Sequence, residues 1–388
     1  MYVNLKKTPR LHLSVGRAWT ALSSPGHVNI RSGTSQPFAS GPPTCFCEIG
    51  GPIYFRPSSP HPRSHSMRRL WLLALSCLLL SCGESPDPGR TTIVVIPKGT
   101  THEFWKSIHA GARRAATDLD VDIIWKGPLK EDDREAQIAV VENFISRGVS
   151  GIVLAPLDDD ALRVPVLNAT RSGIPVIIID SGLQSDDYIS FVATDNHQGG
   201  RMAGQEMARR LEGRGRIVML RYQEGSASTM KREQGFLDAI AESPDIVVVS
   251  DNQHGGATTE SAYAASENLL APLQTQDGTL TIDGIFCPNE STTFGMLRAL
   301  QDRQLNGQVR FIGFDSSEKL VEGLTAGDLD ALVLQNPMAM GDIGMRTMVA
   351  HLQGKPVERR IDTGVVLVTR DNMNESTVAE LLRPPIDD

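Results

Sequence analysis

Carboxylates, amides, two aromatic rings and a lysine stand at comparable points along this chain, each just past a short apolar run. Lys98, His102, Phe104 and Trp105 follow "TIVVI" at 92, Asp158 follows "GIVLA" at 151, and Asp180 and Ser181 follow "PVIII" at 175. A second set repeats the arrangement: Glu224 follows "IVMLRYQ", Asn289 and Glu290 follow "IFCP", Asp315 follows "FIGF" and Gln335 ends "ALVLQ". Carboxylates and amides make several directed hydrogen bonds each, and aromatic faces stack on C–H surfaces, so the set suits a small polyhydroxylated molecule. Any single Asp or Asn could equally cap a helix or fill a turn. The recurrence after successive runs is what points to a site.

Catalytic patterns are missing from the same residues. "HEFWK" lacks the second histidine of H-E-x-x-H, and the chain has no G-x-S-x-G elbow and no G-x-x-x-x-G-K-[ST] phosphate loop. "GRGRIV" at 213 is not G-x-G-x-x-G, and His102, His109, His197 and His254 lie on separate segments, which does not suggest a metal cluster. The acidic run Asp158 to Asp160 reads as a solvated helix start. The expectation is a binding protein with no cofactor and no metal.

The elements that must carry these residues are short strands alternating with amphipathic helices. The first series continues through "VDIIW" at 121 and "ISFVA" at 189; the second is "RIVML" at 216, "IVVVS" at 246, "IDGIF" at 282, "VRFIGF" at 309 and "LDALVLQ" at 329. Helical stretches such as "EAQIAVVENFISRG", with Ile138, Val141 and Ile145 on one stripe, lie between them. Strand and helix in alternation means parallel sheets covered on both faces. Two series are too much for one core, so the fold expected is α/β, with two similar doubly wound lobes and a cleft between them. Open parallel sheets bind ligands beyond the carboxyl ends of their strands, which is where the polar series stands.

The N-terminal part is of another kind. Leu70 to Leu80 is an apolar run behind Arg68 and Arg69, too short to span a bilayer, which takes about 20 residues, and suited to a signal peptide. Leu79-Leu80-Ser81-Cys82 resembles the bacterial lipobox, whose cysteine receives lipid, and the polar, proline-containing residues 82–90 would serve as a tether. Residues 1–66 lack apolar periodicity and are expected to be a non-native or disordered leader, with residues 67–81 the signal. Up to Ser81 the chain has 9 Lys+Arg against 1 acid, and from Cys82 onward 29 against 45. A body this acidic argues against nucleic acid as a partner. Beyond Cys82 only Cys287 remains, so no disulfide framework is available, and it is expected to be buried at a strand end.

Residues 91–370 resemble the ribose-type periplasmic solute-binding proteins of ABC sugar importers. "FWKSIHAGARRAA" is similar to the family's aromatic pair opening the first helix, and "GIPVIIIDSG" and "FVATDNHQGGRMAG" to its fourth strand and first crossover. "GSASTMKREQGF", "CPNESTTFGMLRAL", "FIGFDSSE" and "LVLQNP" resemble its second-lobe segments. The resemblance implies the periplasmic-binding-protein-like I fold, its lobes 91–194 plus 336–364 and 195–335 plus 365–388, joined by three crossovers. It also implies that Phe104 and Trp105 sandwich a sugar ring, that Asp180 holds hydroxyls from the first lobe, and that Arg232, Asn289, Asp315 and Gln335 hold them from the second. His102 replaces the usual Asn, Ser181 the usual Arg, and no aromatic stands near Ala257. These departures imply a sugar larger than ribose or differently substituted, with His254 or Tyr222 filling space. The expected partners are a monosaccharide, ABC permease subunits and, through lipid on Cys82, a membrane; the expected state is a monomer in the periplasm or cell envelope. A sensor presenting bound sugar to a membrane receptor shares the same residues. A sugar-responsive repressor would need a helix-turn-helix where the lipobox stands.

Overall fold

The computed structural model describes residues 90–385. The expected leader, signal segment and lipidated Cys82 lie outside the described residues. The first sheet is built from β1 (Thr92–Ile96), β2 (Asp122–Trp125), β3 (Gly151–Leu154), β4 (Val176–Ile179) and β5 (Ser190–Ala193), in the order β5-β4-β3-β1-β2. These runs are β-branched and unbroken because helices cover both faces of a parallel sheet, leaving no solvent side to require alternation. β1, β3 and β4 are accordingly buried almost end to end. The helices between them are α1 (Glu103–Leu119), α2 (Arg134–Arg147) and α3 (Arg163–Arg171).

The second sheet repeats the plan with β6 (Arg214–Arg221), β7 (Asp245–His254), β8 (Gly284–Phe286), β9 (Arg310–Phe314) and β10 (Ala331–Leu334), in the order β10-β9-β8-β6-β7. Its helices are α4 (Asn196–Arg210), α5 (Ala227–Ile240), α6 (Thr259–Leu270), α7 (Glu290–Asp302) and α8 (Glu318–Ala326). The chain passes between sheets three times: after β5, after β10, and between β11 (Arg360–Asp362) and β12 (Val366–Val368). β11 extends the first sheet parallel to β5, whereas β12 lies antiparallel to β10. That single departure from parallel pairing has a geometric cause. A strand running toward the cleft in one lobe must run away from it on entering the other.

The two halves also exchange helices. α4 follows a first-lobe strand yet packs on α5, and α9 (Pro337–Leu352) follows a second-lobe strand yet packs on α1. Both contacts are made backbone to backbone. A Cβ added at Gly200 would lie 1.9 Å from the Arg232 carbonyl oxygen, and one at Gly341 2.0 Å from that of Ile108. Each sheet is thus sandwiched between two apolar layers. In the first lobe Ile108, Ala112, Met340 and Met345 fill one side and Val141, Phe144 and Val166 the other; in the second, Ala203, Phe236 and Ile240 fill one side and Met296, Leu300 and Leu324 the other. A short α10 (Ser376–Leu382) closes the described chain against the last of these layers.

Cys287 is fully buried immediately after β8, where burial pushes its thiol well above the usual range. Asp158 is not part of a solvated helix start. It is only 8% exposed, its Oδ1 accepts from the N–H groups of Asp160 and Ala161, and Oδ2 pairs with Arg134 at 2.7 Å. α3 begins five residues later. The turn is held shut by Asp158, which is why this acid faces inward.

Candidate functional site

Asp180 follows β4 and Asp315 follows β9, strands that hold the same place in the two sheet orders. Both residues have left-handed backbone, with φ of 60° and 68°. This region is sparsely used except by Gly, Asn and Asp. The turn directs each carboxylate into the space between the lobes, where Lys98, His102, Phe104, Trp105, Arg232, Asn289 and Gln335 also line one cavity.

From the first lobe, the Lys98 ammonium donates to the Ser226 and Ser228 hydroxyls at 3.1 Å and stands 3.1 Å from Asp180 Oδ2. The approach to Asp180 is an ion pair without hydrogen-bond alignment, so that oxygen has no aligned donor. From the second lobe, the Arg232 Nε donates to Asn196 Oδ1 at 2.7 Å and Nη1 to the Pro288 carbonyl at 2.9 Å, with Asp315 Oδ2 3.5 Å from Nη1. The guanidinium lies over the Phe314 ring, 4.1 Å from its centroid, which fixes its plane. Gln335 Nε2 donates to Asp315 Oδ1 at 2.6 Å, leaving buried Gln335 Oε1 without a donor. Asn289 caps α7 with Oδ1 accepting from the Thr292 N–H.

Three further groups join the lobes. Glu131 Oε1 is 2.6 Å from His102 Nδ1 and accepts from Trp105 Nε1 at 2.7 Å, while Oε2 accepts from the Tyr222 hydroxyl at 2.8 Å. Glu290 accepts from the N–H groups of Glu103 and Phe104 at the start of α1, and Glu103 accepts from the Glu318 N–H at the start of α8. Each carboxylate therefore sits on a helix N-terminus of the opposite lobe, where the helix dipole favours it.

Burial and pairing set the charges. Burial alone would depress His102, but the hydrogen bond and charge of Glu131, with Glu290 and Asp315 nearby, lift it to about 9. Glu131 would be raised by burial, yet its hydrogen bond to His102 and that charge hold it at about 2. Burial pushes Glu290 up to about 7 and raises Asp315 as well, against the pull of His102 on the first and Arg232 on the second. Lys98, Asp180 and Arg232 are 3, 2 and 2% exposed. The cavity between them is about 30 Å³, room for one or two waters.

Ser181 does not line the cavity. Its hydroxyl is buried and accepts from the Ser228 N–H at 3.1 Å, because the turn that aims Asp180 inward carries the next side chain away. Phe104 and Trp105 do not form parallel walls: their rings meet edge to face, centroids 5.0 Å apart and planes at 85°. Tyr222 lines the cavity, whereas Glu224 and His254 lie on a separate trough, lined mostly by the second lobe with Asp159 of the first. Glu131, Ser226, Ser228 and Thr229 complete the lining and were not among the expected site residues. Glu290, which the sequence placed beside Asn289 in the polar series, lines the cavity too. Glu131 stands in "KEDD", and a charge run gives no sign of burial.

Residues 93–356 match the family model described as periplasmic binding protein domain. The chain is 26% identical over 303 residues to the ribose import binding protein of Haemophilus influenzae, covering 78% of this chain and all of that one. It is 27% identical over 255 residues to a xylitol-binding protein of Mycolicibacterium smegmatis, covering 66% and 70%. Among solved structures, a carbohydrate transporter solute-binding protein of Agrobacterium radiobacter in complex with D-arabinose is 33% identical with a TM-score of 0.72, covering 76% of this chain and 100% of that chain. A solute-binding protein of Agrobacterium vitis with bound D-fucose is 34% identical with a TM-score of 0.70, covering 75% and 99%.

Proposed function

The chain belongs to the periplasmic binding protein family, in its ribose-type branch, and from that premise we propose that it captures a monosaccharide or related polyol between its lobes for an ABC permease. One observation carries the reading. Asp180 Oδ2, which meets only the unaligned Lys98 ammonium, and Gln335 Oε1 are buried acceptors without an aligned donor, one from each lobe, on residues that line the same cavity. A buried acceptor left unmet costs about 1–3 kcal/mol, and ligand hydroxyls would recover it. Arg232, held on three sides, supplies the complementary donor fork, and Phe104 offers a face for C–H groups.

The mechanism is closure about the passages 194–195, 335–336 and 363–365, with lobes 91–194 plus 336–364 and 195–335 plus 365–388. Binding brings the two aspartates onto one ligand from opposite sides, and the ligand leaves unchanged. Discrimination follows from the same burial: an epimer with a hydroxyl misplaced leaves Asp180 or Asp315 unpaired in a water-poor cavity. Lipid on Cys82 would hold a monomeric body at a membrane surface, in reach of a permease.

The test is a thermal-shift panel of D-ribose, D-allose, D-arabinose, D-fucose, xylitol and myo-inositol, followed by calorimetry. A ligand that binds only the folded state raises the melting temperature, by an amount equivalent to about 2.7 kcal/mol at a hundredfold excess over Kd. One or more of the six should do so. A panel with no shift and no heat would overturn the sugar reading.

A further inference from the structure

We propose that Glu131 is the positioning residue of the cleft, holding His102 and Trp105 in the first lobe and clasping Tyr222 and Gln223 of the second. It lies on the loop between β2 and α2, only 6% exposed. One carboxylate oxygen serves both first-lobe partners, at 2.6 Å and 2.7 Å, and the other accepts from the Tyr222 hydroxyl at 2.8 Å. Its carbonyl oxygen accepts from Gln223 Nε2 at 2.8 Å. The residue is thus saturated by protein groups and has a role other than that of Asp180, whose Oδ2 meets only the unaligned Lys98 ammonium.

Two consequences follow from this division. The Trp105 indole and the His102 ring owe their orientation to a shared anchor, so the wall beside Phe104 is set before any ligand arrives. The Tyr222 and Gln223 bonds exist only while the lobes are together, and they connect protein to protein. They favour closure by their own strength, whatever occupies the cavity. A ligand then needs to supply less of the free energy of closing, and its dissociation must wait for these bonds to break.

The inference takes its location from the cleft reading above, but its test is run without any sugar, so each can fail alone. Spin labels on p-acetylphenylalanine at Val164 and Met230, exposed residues of opposite lobes, leave the cysteines untouched and report interlobe distance on the full chain. Tyr222→Phe removes one hydroxyl and keeps the ring in place; Glu131→Gln removes the charged anchor. Each should lower the closed-to-open ratio about ten- to hundredfold, as expected for a bond to a charged group. The double variant should open no further than Glu131→Gln, because the two share one bond. Trp105 emission, taken as a difference against Trp105→Phe, should shift in Glu131→Gln and stay fixed in Tyr222→Phe. Tyr222→Phe carries the test should Glu131→Gln fail to fold. Unchanged distances in both variants would overturn the clasp, and unchanged emission in Glu131→Gln would overturn the positioning.

Discussion

Replacing Asp315 by Asn separates binding from folding, since the first should weaken while the second changes little. The backbone at 315 has φ of 68°, a conformation Asn adopts nearly as readily as Asp. Asn keeps an oxygen for Gln335 Nε2 and loses the anionic partner of Arg232 and the acceptor of the Glu290 N–H. Burial already disfavours the ionised carboxyl, raising it above its ordinary range, so a neutral group in its place should leave the free protein about as stable as before. Binding should suffer. A hydrogen bond to a charged acceptor contributes about 1.5–3 kcal/mol, and losing it lowers affinity roughly ten- to a hundredfold. Asp315→Ala makes the contrast, since a left-handed residue outside Gly, Asn and Asp costs about 1–2 kcal/mol, and it should weaken binding and lower the melting point together. Calorimetry with the panel sugar that binds, beside melting curves without sugar, measures both quantities. Wild-type affinity in Asp315→Asn, or an affinity loss matched by an equal loss of stability, would refute the assignment.

Three further outcomes follow from the geometry. His102 has a folded value of about 9 against 6.5, so its pairing with Glu131 stabilises fully below pH 6.5 and fades as pH rises through 9; the stability advantage over His102→Gln should vanish across that window in melting curves taken from pH 6 to 9.5. Gly200→Ala forces a Cβ to 1.9 Å from the Arg232 carbonyl oxygen, and overpacking of this kind costs about 1–3 kcal/mol; a lowered melting point should appear in thermal denaturation, with sugar affinity reduced because Arg232 must shift. Phe104→Ala should lose both affinity and stability, by about 3–5 kcal/mol for the latter, since Phe104 belongs to the apolar layer under α1 as well as to the cavity; denaturant unfolding would show it.

The strands were legible because a buried parallel strand is an uninterrupted apolar run, and "IVVI" or "VIII" has no other reading between turn residues. Polar residues just past such runs were legible for the same reason: strand ends mark where a parallel sheet opens. Side-chain direction was not. Asp180 and Ser181 are adjacent in sequence, and only the left-handed turn at Asp180 decides that the first enters the cavity and the second backs it. Nor could Glu131 be found, because its burial depends on Tyr222, 91 residues away. The helix exchange could not be read from the amphipathic pattern, since α9 carries the same pattern whichever sheet it covers; the resemblance alone implied it, by grouping 336–364 with the first lobe.

That exchange bears on how the protein comes into being. The side of the first sheet under α1 needs Met340, Met345 and Met348 to complete it, and these residues are made more than two hundred positions after β1. A nascent chain carrying all five consecutive strands of the first lobe still has an open apolar flank. Folding of the N-terminal half in advance of the rest, the ordinary course for a chain of separable domains, would leave that flank uncovered. Contacts at such sequence separation also form slowly, because a long loop must close before they are gained. The first lobe therefore gains its complete core only once α9 is available, late in the chain.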